Sequence, residues 1–155
     1  YAQQLEMESI GKQANPNSIF KNTGQVIFGG FGSTAQHSYF QLLHQGTASA
    51  CADIFTIELN KGTNKLLYAQ SQAQKHLLSN GPNKELESFE QVNGNIPTNL
   101  FTLKELNPKT LGFLIATWEH RTFVTAKMLQ INPFDQYGVS AGKIFAKKFL
   151  DEHGG

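Results

Sequence analysis

Short apolar runs and longer amphipathic stretches take turns along this chain. Gln25-Val26-Ile27-Phe28 is an apolar run leading into Gly29 and Gly30, which reads as a strand followed by a tight turn. Ser33 with Gln36 three residues later forms a capping-box pattern, predicting a helix that Gly46 can end. Ala52 to Leu59 predicts a second strand, and Lys65 to Ser79 a helix stopped by Asn80-Gly81-Pro82. The stretch from Gly81 to Pro97 is polar and rich in Gly, Pro and Asn, so it reads as a long loop whose length points to function or mobility. Leu100 to Leu103 predicts a third short strand. Asn107 then caps a helix with Pro108 at its first position, and Leu111, Leu114, Ile115 and Trp118 fall at i, i+3, i+4 and i+7, an amphipathic pattern running to about Asn132-Pro133. A last helix spans roughly Val139 to Leu150, and the polar tail from Asp151 to Gly155 is expected to fray.

Strands separated by helices of this length argue for parallel crossover units. The fold class expected is therefore α/β, an open and mostly parallel sheet with flanking helices, flavodoxin-like. The sequence holds no internal repeat and no low-complexity tract.

At 155 residues the chain is long enough for one domain, or part of one, with a substantial core. Its 13 Lys and Arg against 12 Asp and Glu leave a net charge of +1, and only 16% of residues are charged. That is no electrostatic footprint for nucleic acid or an anionic membrane, so neither is expected as a partner. No apolar run reaches the ~18 residues needed to span a bilayer. The single cysteine, Cys51, can form no internal disulfide, which favours a reducing, cytoplasmic setting. Lying just ahead of Ile54-Phe55-Thr56-Ile57, it reads as a small buried thiol with no chemical role.

Few polar residues carry a chemical signal of their own. Gln4 and Glu8 share a face one turn apart if their segment is helical, but spacing alone favours a solvated acid beside Glu6. His37 would fall in the first turn of the helix opened by Ser33, where the macrodipole disfavours imidazolium. His37, Gln41 and His44 stand at i, i+4 and i+7; an axial separation of about 10 Å between the histidines, at 1.5 Å per residue, is awkward for one ion, so no metal is expected. Lys143 by itself reads as a surface lysine like Lys147 and Lys148. Glu119, His120 and Arg121 read as an exposed or packing face, and Asp53 and Glu58 as strand-end charges.

Three segments, taken together and in order, resemble the glucose-6-phosphate isomerase family. They are Gln3-Gln4-Leu5-Glu6-Met7-Glu8-Ser9-Ile10-Gly11-Lys12, Gly29-Gly30-Phe31-Gly32-Ser33-Thr34-Ala35-Gln36-His37, and Ile131-Asn132-Pro133-Phe134-Asp135-Gln136-Tyr137-Gly138-Val139-Ser140-Ala141-Gly142-Lys143. The resemblance implies a sugar-isomerase-type domain and an aldose-ketose isomerase that interconverts glucose 6-phosphate and fructose 6-phosphate without metal or organic cofactor. Glu8 would be the base that moves a proton between C2 and C1. His37 and Lys143 would act on the ring oxygen during ring opening, and Gln4 and Gln136 would hold the substrate. The family's homodimer would bring His37 to the neighbouring subunit's site.

The chain opens at Tyr1 with neither an initiator Met nor a signal-peptide pattern. It reads as the C-terminal part of a sugar-isomerase-type domain plus C-terminal helices, with a further domain, the phosphate-binding Ser/Thr loop and an active-site arginine expected upstream. The site in residues 1–155 would then be incomplete. Three positions depart from the family pattern: Gly30 replaces an acid, Ile10 an asparagine and Ser140 an acid.

Two other functions fit parts of the sequence. Gly30-Phe31-Gly32-Ser33-Thr34-Ala35 matches G-x-G-x-x-A, a weak dinucleotide-binding fingerprint if a strand precedes it. A non-catalytic phosphosugar-binding regulatory domain would also account for the missing arginine and phosphate loop, though it leaves Gln4, Glu8, His37, Gln136 and Lys143 without a purpose.

Overall fold

A computed structural model of the chain describes residues 1–82 and 87–153. It contains, in order, α1 (Ala2–Ile10), α2 (Gly32–Ala35), α3 (Phe40–Gln45), β1 (Ala52–Ile57), α4 (Lys65–Asn80), a 3-10 turn (Ser88–Glu90), β2 (Thr98–Leu103), α5 (Pro108–Leu129) and α6 (Tyr137–His153). The chain divides into two compact units, residues 29–111 and residues 1–28 with 112–155.

The 29–111 unit is built on a β1–α4–β2 crossover, so the α/β expectation holds. β1 and β2 are parallel and paired from Ala52↔Thr98 to Ile57↔Leu103. At the register pair Phe55↔Phe101 the rings stack with centroids 5.0 Å apart. α4 starts where Asn64 Oδ1 accepts the backbone N–H groups of Leu66 and Leu67, two of the donors a helix start leaves unmet. Ser71 Oγ donates to Thr56 Oγ1 at 2.9 Å, and Leu78, 1% exposed, forms the centre of this small core.

The long loop is held in place along its described residues. Asn93 N–H donates to His44 O at 2.8 Å, Asn95 N–H to Ser79 O at 3.0 Å and Ile96 N–H to Leu78 O at 2.9 Å. Gln45 Nε2 adds bonds to Phe89 O and Gln91 O. Backbone groups of residues 89–96 thus bond to the ends of α3 and α4. Residues 83–86 of that loop, like Gly154 and Gly155 of the tail, lie outside the described residues.

Two local expectations fail in the glycine-rich region. Residues 25–28 form no strand. Strand backbone needs a neighbour to take its N–H and C=O groups, and among the described residues the sheet consists of β1 and β2 alone. The helix predicted from Ser33 to Gly46 is instead two short helices separated by a turn at residues 36–39. Phe31, not Ser33, occupies the N-cap of α2, and no side chain caps it. Gly46 does end α3, its N–H donating to Leu42 O at 2.8 Å.

In the other unit the buried residues are Glu6, Ile10, Ser18, Trp118, Thr122 and Ala126. α5 begins as expected, with Asn107 Oδ1 accepting Thr110 N–H at 2.9 Å. It ends at Leu129, short of Asn132-Pro133, because Gln130 turns to φ +59 and Ile131 N–H donates back to Ala126 O, a closure that satisfies carbonyls of the last turn. α6 buries no residue.

Candidate active site

Helix α1 sorts its two acids onto different faces. Gln4 Nε2 donates to Glu8 Oε2 at 3.3 Å, so the amide and the half-buried carboxylate do meet across one turn. Glu6 is 1% exposed and shares its face with Ile10, one turn on and 3% exposed. Gln25 Nε2 donates to Glu6 Oε2, and Arg121 Nη2 stands 2.9 Å from Oε1, supplying the charge that a buried carboxylate requires. The Arg121 guanidinium also lies 4.7 Å from the Trp118 ring centroid. Glu6, Gln25 and Arg121 border a cavity of about 230 Å³ whose wall includes Asn22, Thr23 and Thr125. Glu6 is thus the packed acid, and Glu8 the half-buried one that meets the Gln4 amide.

The segment after α1 is stitched to the turn between α5 and α6. Lys12 Nζ donates to Glu8 O at 2.7 Å and to Asp135 O, and lies 3.4 Å from Asp135 Oδ1. Asn15 Nδ2 donates to Gln130 O at 3.0 Å. Within the turn, Asn132 Oδ1 accepts Phe134 N–H at 3.1 Å, the local bond expected of an Asn-Pro turn. Gln136 follows directly, its carbonyl accepting Ser140 N–H at 3.0 Å where α6 starts, and its side chain is exposed. Lys143 lies two turns into α6 and is exposed.

His37 belongs to the 29–111 unit and sits outside any helix. It lies in the turn between α2 and α3, exposed, with its N–H donating to Thr34 O at 3.1 Å. His37 is therefore not a first-turn residue at a helix's positive end, a correction: α2 has four residues and His37 follows its C-terminal end. The proposed stripe of His37, Gln41 and His44 is broken by the same turn. His44 Nε2 instead faces Gln74 Oε1 at 2.8 Å.

The remaining sequence expectations divide. Asp53 is a strand residue whose Oδ1 accepts Asn99 Nδ2 at 2.8 Å, across its own register pair. Cys51 is exposed, a correction: it precedes Ala52, the first paired residue of β1, and so lies outside the sheet. G-x-G-x-x-A loses the preceding strand that gives the motif its meaning, since residues 25–28 are irregular. Arg121 and Glu119 have partners that the sequence reading missed, Glu119 Oε1 accepting the Tyr1 hydroxyl, which raises the Tyr1 phenol above its ordinary value. The i, i+4 relation of Glu6 to Ile10 was the available signal for a buried acid.

Chemically, Gln4, Glu8, Lys12 and the 130–136 turn present a carboxylate with an amide donor beside it and a fixed backbone beneath it. Such a carboxylate can take a carbon-bound proton and return it. Ile10 explains one departure from the family pattern: at 3% exposure it is a core residue, so an apolar side chain suits the position better than asparagine.

A family model described as phosphoglucose isomerase matches residues 1–154. The glucose-6-phosphate isomerase of Acinetobacter venetianus is 38% identical over 174 aligned residues, covering 97% of this chain and 31% of the relative. That of Novosphingobium aromaticivorans is 42% identical over 162 aligned residues, covering 100% of this chain and again 31% of the relative. The crystal structure of a glucose-6-phosphate isomerase from Chlamydia trachomatis superposes with a TM-score of 0.83 at 30% identity, over 97% of this chain and 31% of that one. A hypothetical protein of Thermus thermophilus shares the fold, with a TM-score of 0.77 at 22% identity over 96% of this chain and 37% of that one. The chain spans about 31% of the length of the isomerases it matches.

Proposed function

We propose, from the premise that this chain belongs to the phosphoglucose isomerase family, that it is the C-terminal portion of an enzyme interconverting glucose 6-phosphate and fructose 6-phosphate. The observation that carries this reading is the Gln4–Glu8 pair on the open face of α1, with Glu6 withdrawn into the packed face. In the open-chain aldose, Glu8 removes the proton on C2. The C2–H electron pair forms the C1=C2 bond of an enediolate as the carbonyl electrons move onto O1; O1 then takes up a proton while the C2 hydroxyl gives one up, and as the C2=O bond forms the same carboxyl delivers its proton to C1. Gln4 and Gln136 hold the substrate. His37 and Lys143 serve the earlier ring opening, by moving a proton at the ring oxygen.

On this reading the enzyme is cytoplasmic, where the exposed, unpaired Cys51 stays reduced. It works as a homodimer with His37 reaching the neighbouring subunit's site, and its partner molecule is the phosphosugar, not nucleic acid or membrane. Among the described residues no helix is long and apolar enough to cross a membrane.

The test is Glu8→Gln in a full-length isomerase carrying this sequence. It keeps the shape and removes the base, so turnover falls by the roughly 10²–10⁴-fold that general base catalysis contributes while substrate still binds. Solvent deuterium entering C2 at the wild-type rate would rule out Glu8 as the base.

A further inference from the structure

We propose that Lys12 is a positioning residue that fixes helix α1, and with it Glu8, against the turn that delivers Gln136. The inference rests on reading Glu8 as the base. Lys12 lies two residues past the end of α1, and its side chain is only 14% exposed. An ammonium so far withdrawn from water needs hydrogen-bond acceptors and a countercharge. It donates to the backbone carbonyl of Glu8 at 2.7 Å and to that of Asp135, and the Asp135 carboxylate, Oδ1 at 3.4 Å, meets its charge. All three oxygens belong to the proposed base or to the residue directly before Gln136.

The first contact is local. The carbonyls of the last turn of α1 have no partner within the helix and form its negative end. Gly11 N–H meets the carbonyl of Met7, whereas the carbonyl of Glu8 is met by Lys12. The second and third contacts span more than a hundred residues of sequence, so the ammonium ties the backbone of Glu8 to that of Asp135. Asn15 to Gln130 reinforces the same junction from further along the segment. A methylene chain ending in a compact, rotatable ammonium can reach two carbonyls and a carboxylate arranged this way. The planar fork of arginine has another geometry.

The experiment uses a full-length isomerase carrying this sequence, with Lys12→Met, Asp135→Asn, Glu8→Gln and the double variant Lys12→Met/Glu8→Gln. A misplacement of about 1 Å can cost about 10²-fold in rate. Lys12→Met is therefore expected to lower kcat about 10²-fold with KM changed by no more than a few-fold, and Asp135→Asn to lower kcat less, in the same direction. Because Lys12 acts through Glu8, the double variant is expected to be no slower than Glu8→Gln alone. Losses that multiply in the double variant, or a Lys12→Met protein that melts lower but keeps wild-type kcat, would overturn the proposal. If Lys12→Met does not fold, Asp135→Asn decides, and an unchanged kcat there overturns it equally. Wild-type turnover by Glu8→Gln would bring down the base assignment itself. An inactive Glu8→Gln beside fully active Lys12→Met and Asp135→Asn would bring down only the role of Lys12.

Discussion

Arg121 Nη2 stands 2.9 Å from Glu6 Oε1, joining a guanidinium that is 37% exposed to a carboxylate that is 1% exposed. This pair is what holds the inner face of α1. Removing the guanidinium leaves a desolvated carboxylate with the Gln25 amide to meet it but no countercharge from Arg121. Arg121→Met is expected to destabilise the protein by about 3 kcal/mol, at the low end for a broken buried pair because Arg121 is part exposed. Glu6→Gln added to it recovers part of that loss, since the amide no longer carries a stranded charge. Denaturant midpoints of the two single variants and the double variant check this.

A polypeptide of residues 1–155 by itself is expected to lack isomerase activity and to bind phosphosugars poorly. Binding of the remote phosphate normally supplies the energy that positions the reacting carbons. Gln4, Glu8, His37, Gln136 and Lys143 include no phosphate clamp of the kind expected upstream. A coupled assay showing turnover near that of an intact isomerase would contradict the assignment.

Ring opening and proton transfer should separate by substrate. In a full-length isomerase carrying this sequence, His37→Ala is expected to slow the cyclic sugar phosphate far more than a short aldose phosphate that cannot close a ring. Glu8→Gln slows both. Equal impairment of both substrates by His37→Ala would make His37 a general positioning residue.

Gly94 offers a test of the loop anchored beside β2. It has φ +61, and a Cβ there would lie 2.5 Å from the backbone nitrogen of Gly81, itself at φ +73. Gly94→Ala is expected to cost at least the roughly 1–2 kcal/mol of a left-handed conformation, with the backbone clash in addition. Gly112→Ala, with open space around its Cβ position and a place inside α5, is the control and should be neutral or stabilising by up to about 1 kcal/mol. Thermal melts of the two variants distinguish them.

What could be read from the residues alone was local or periodic. Asn107-Pro108 and the 3.6-residue pattern through Trp118 marked α5, Asn80-Gly81-Pro82 marked the end of α4, and the β, α, β order marked a parallel crossover. Gln4 and Glu8 could be placed on one face because a helix sets that relation by itself. The family motifs then supplied candidate roles for Glu8, His37, Gln136 and Lys143.

Where the outcome depended on distant neighbours, only the tertiary structure decided it. Val26-Ile27-Phe28 has strand composition, but a strand requires a neighbouring strand, and among the described residues the sheet is β1 and β2 alone. Ser33 and Gln36 spell a capping box, yet the chain turns at residues 36–39 and leaves His37 outside a helix. Glu6 and Glu8 are the same residue type two positions apart; Arg121 and Gln25, far away in sequence, make Glu6 the buried one, while Glu8 stays half-buried beside Gln4. The charge of Lys12 finds its partner only where the chain brings Asp135 within its reach. The reason is common to all four: helix periodicity and turn chemistry are properties of neighbouring residues, whereas burial, strand pairing and charge compensation exist only once the chain has brought separated segments together.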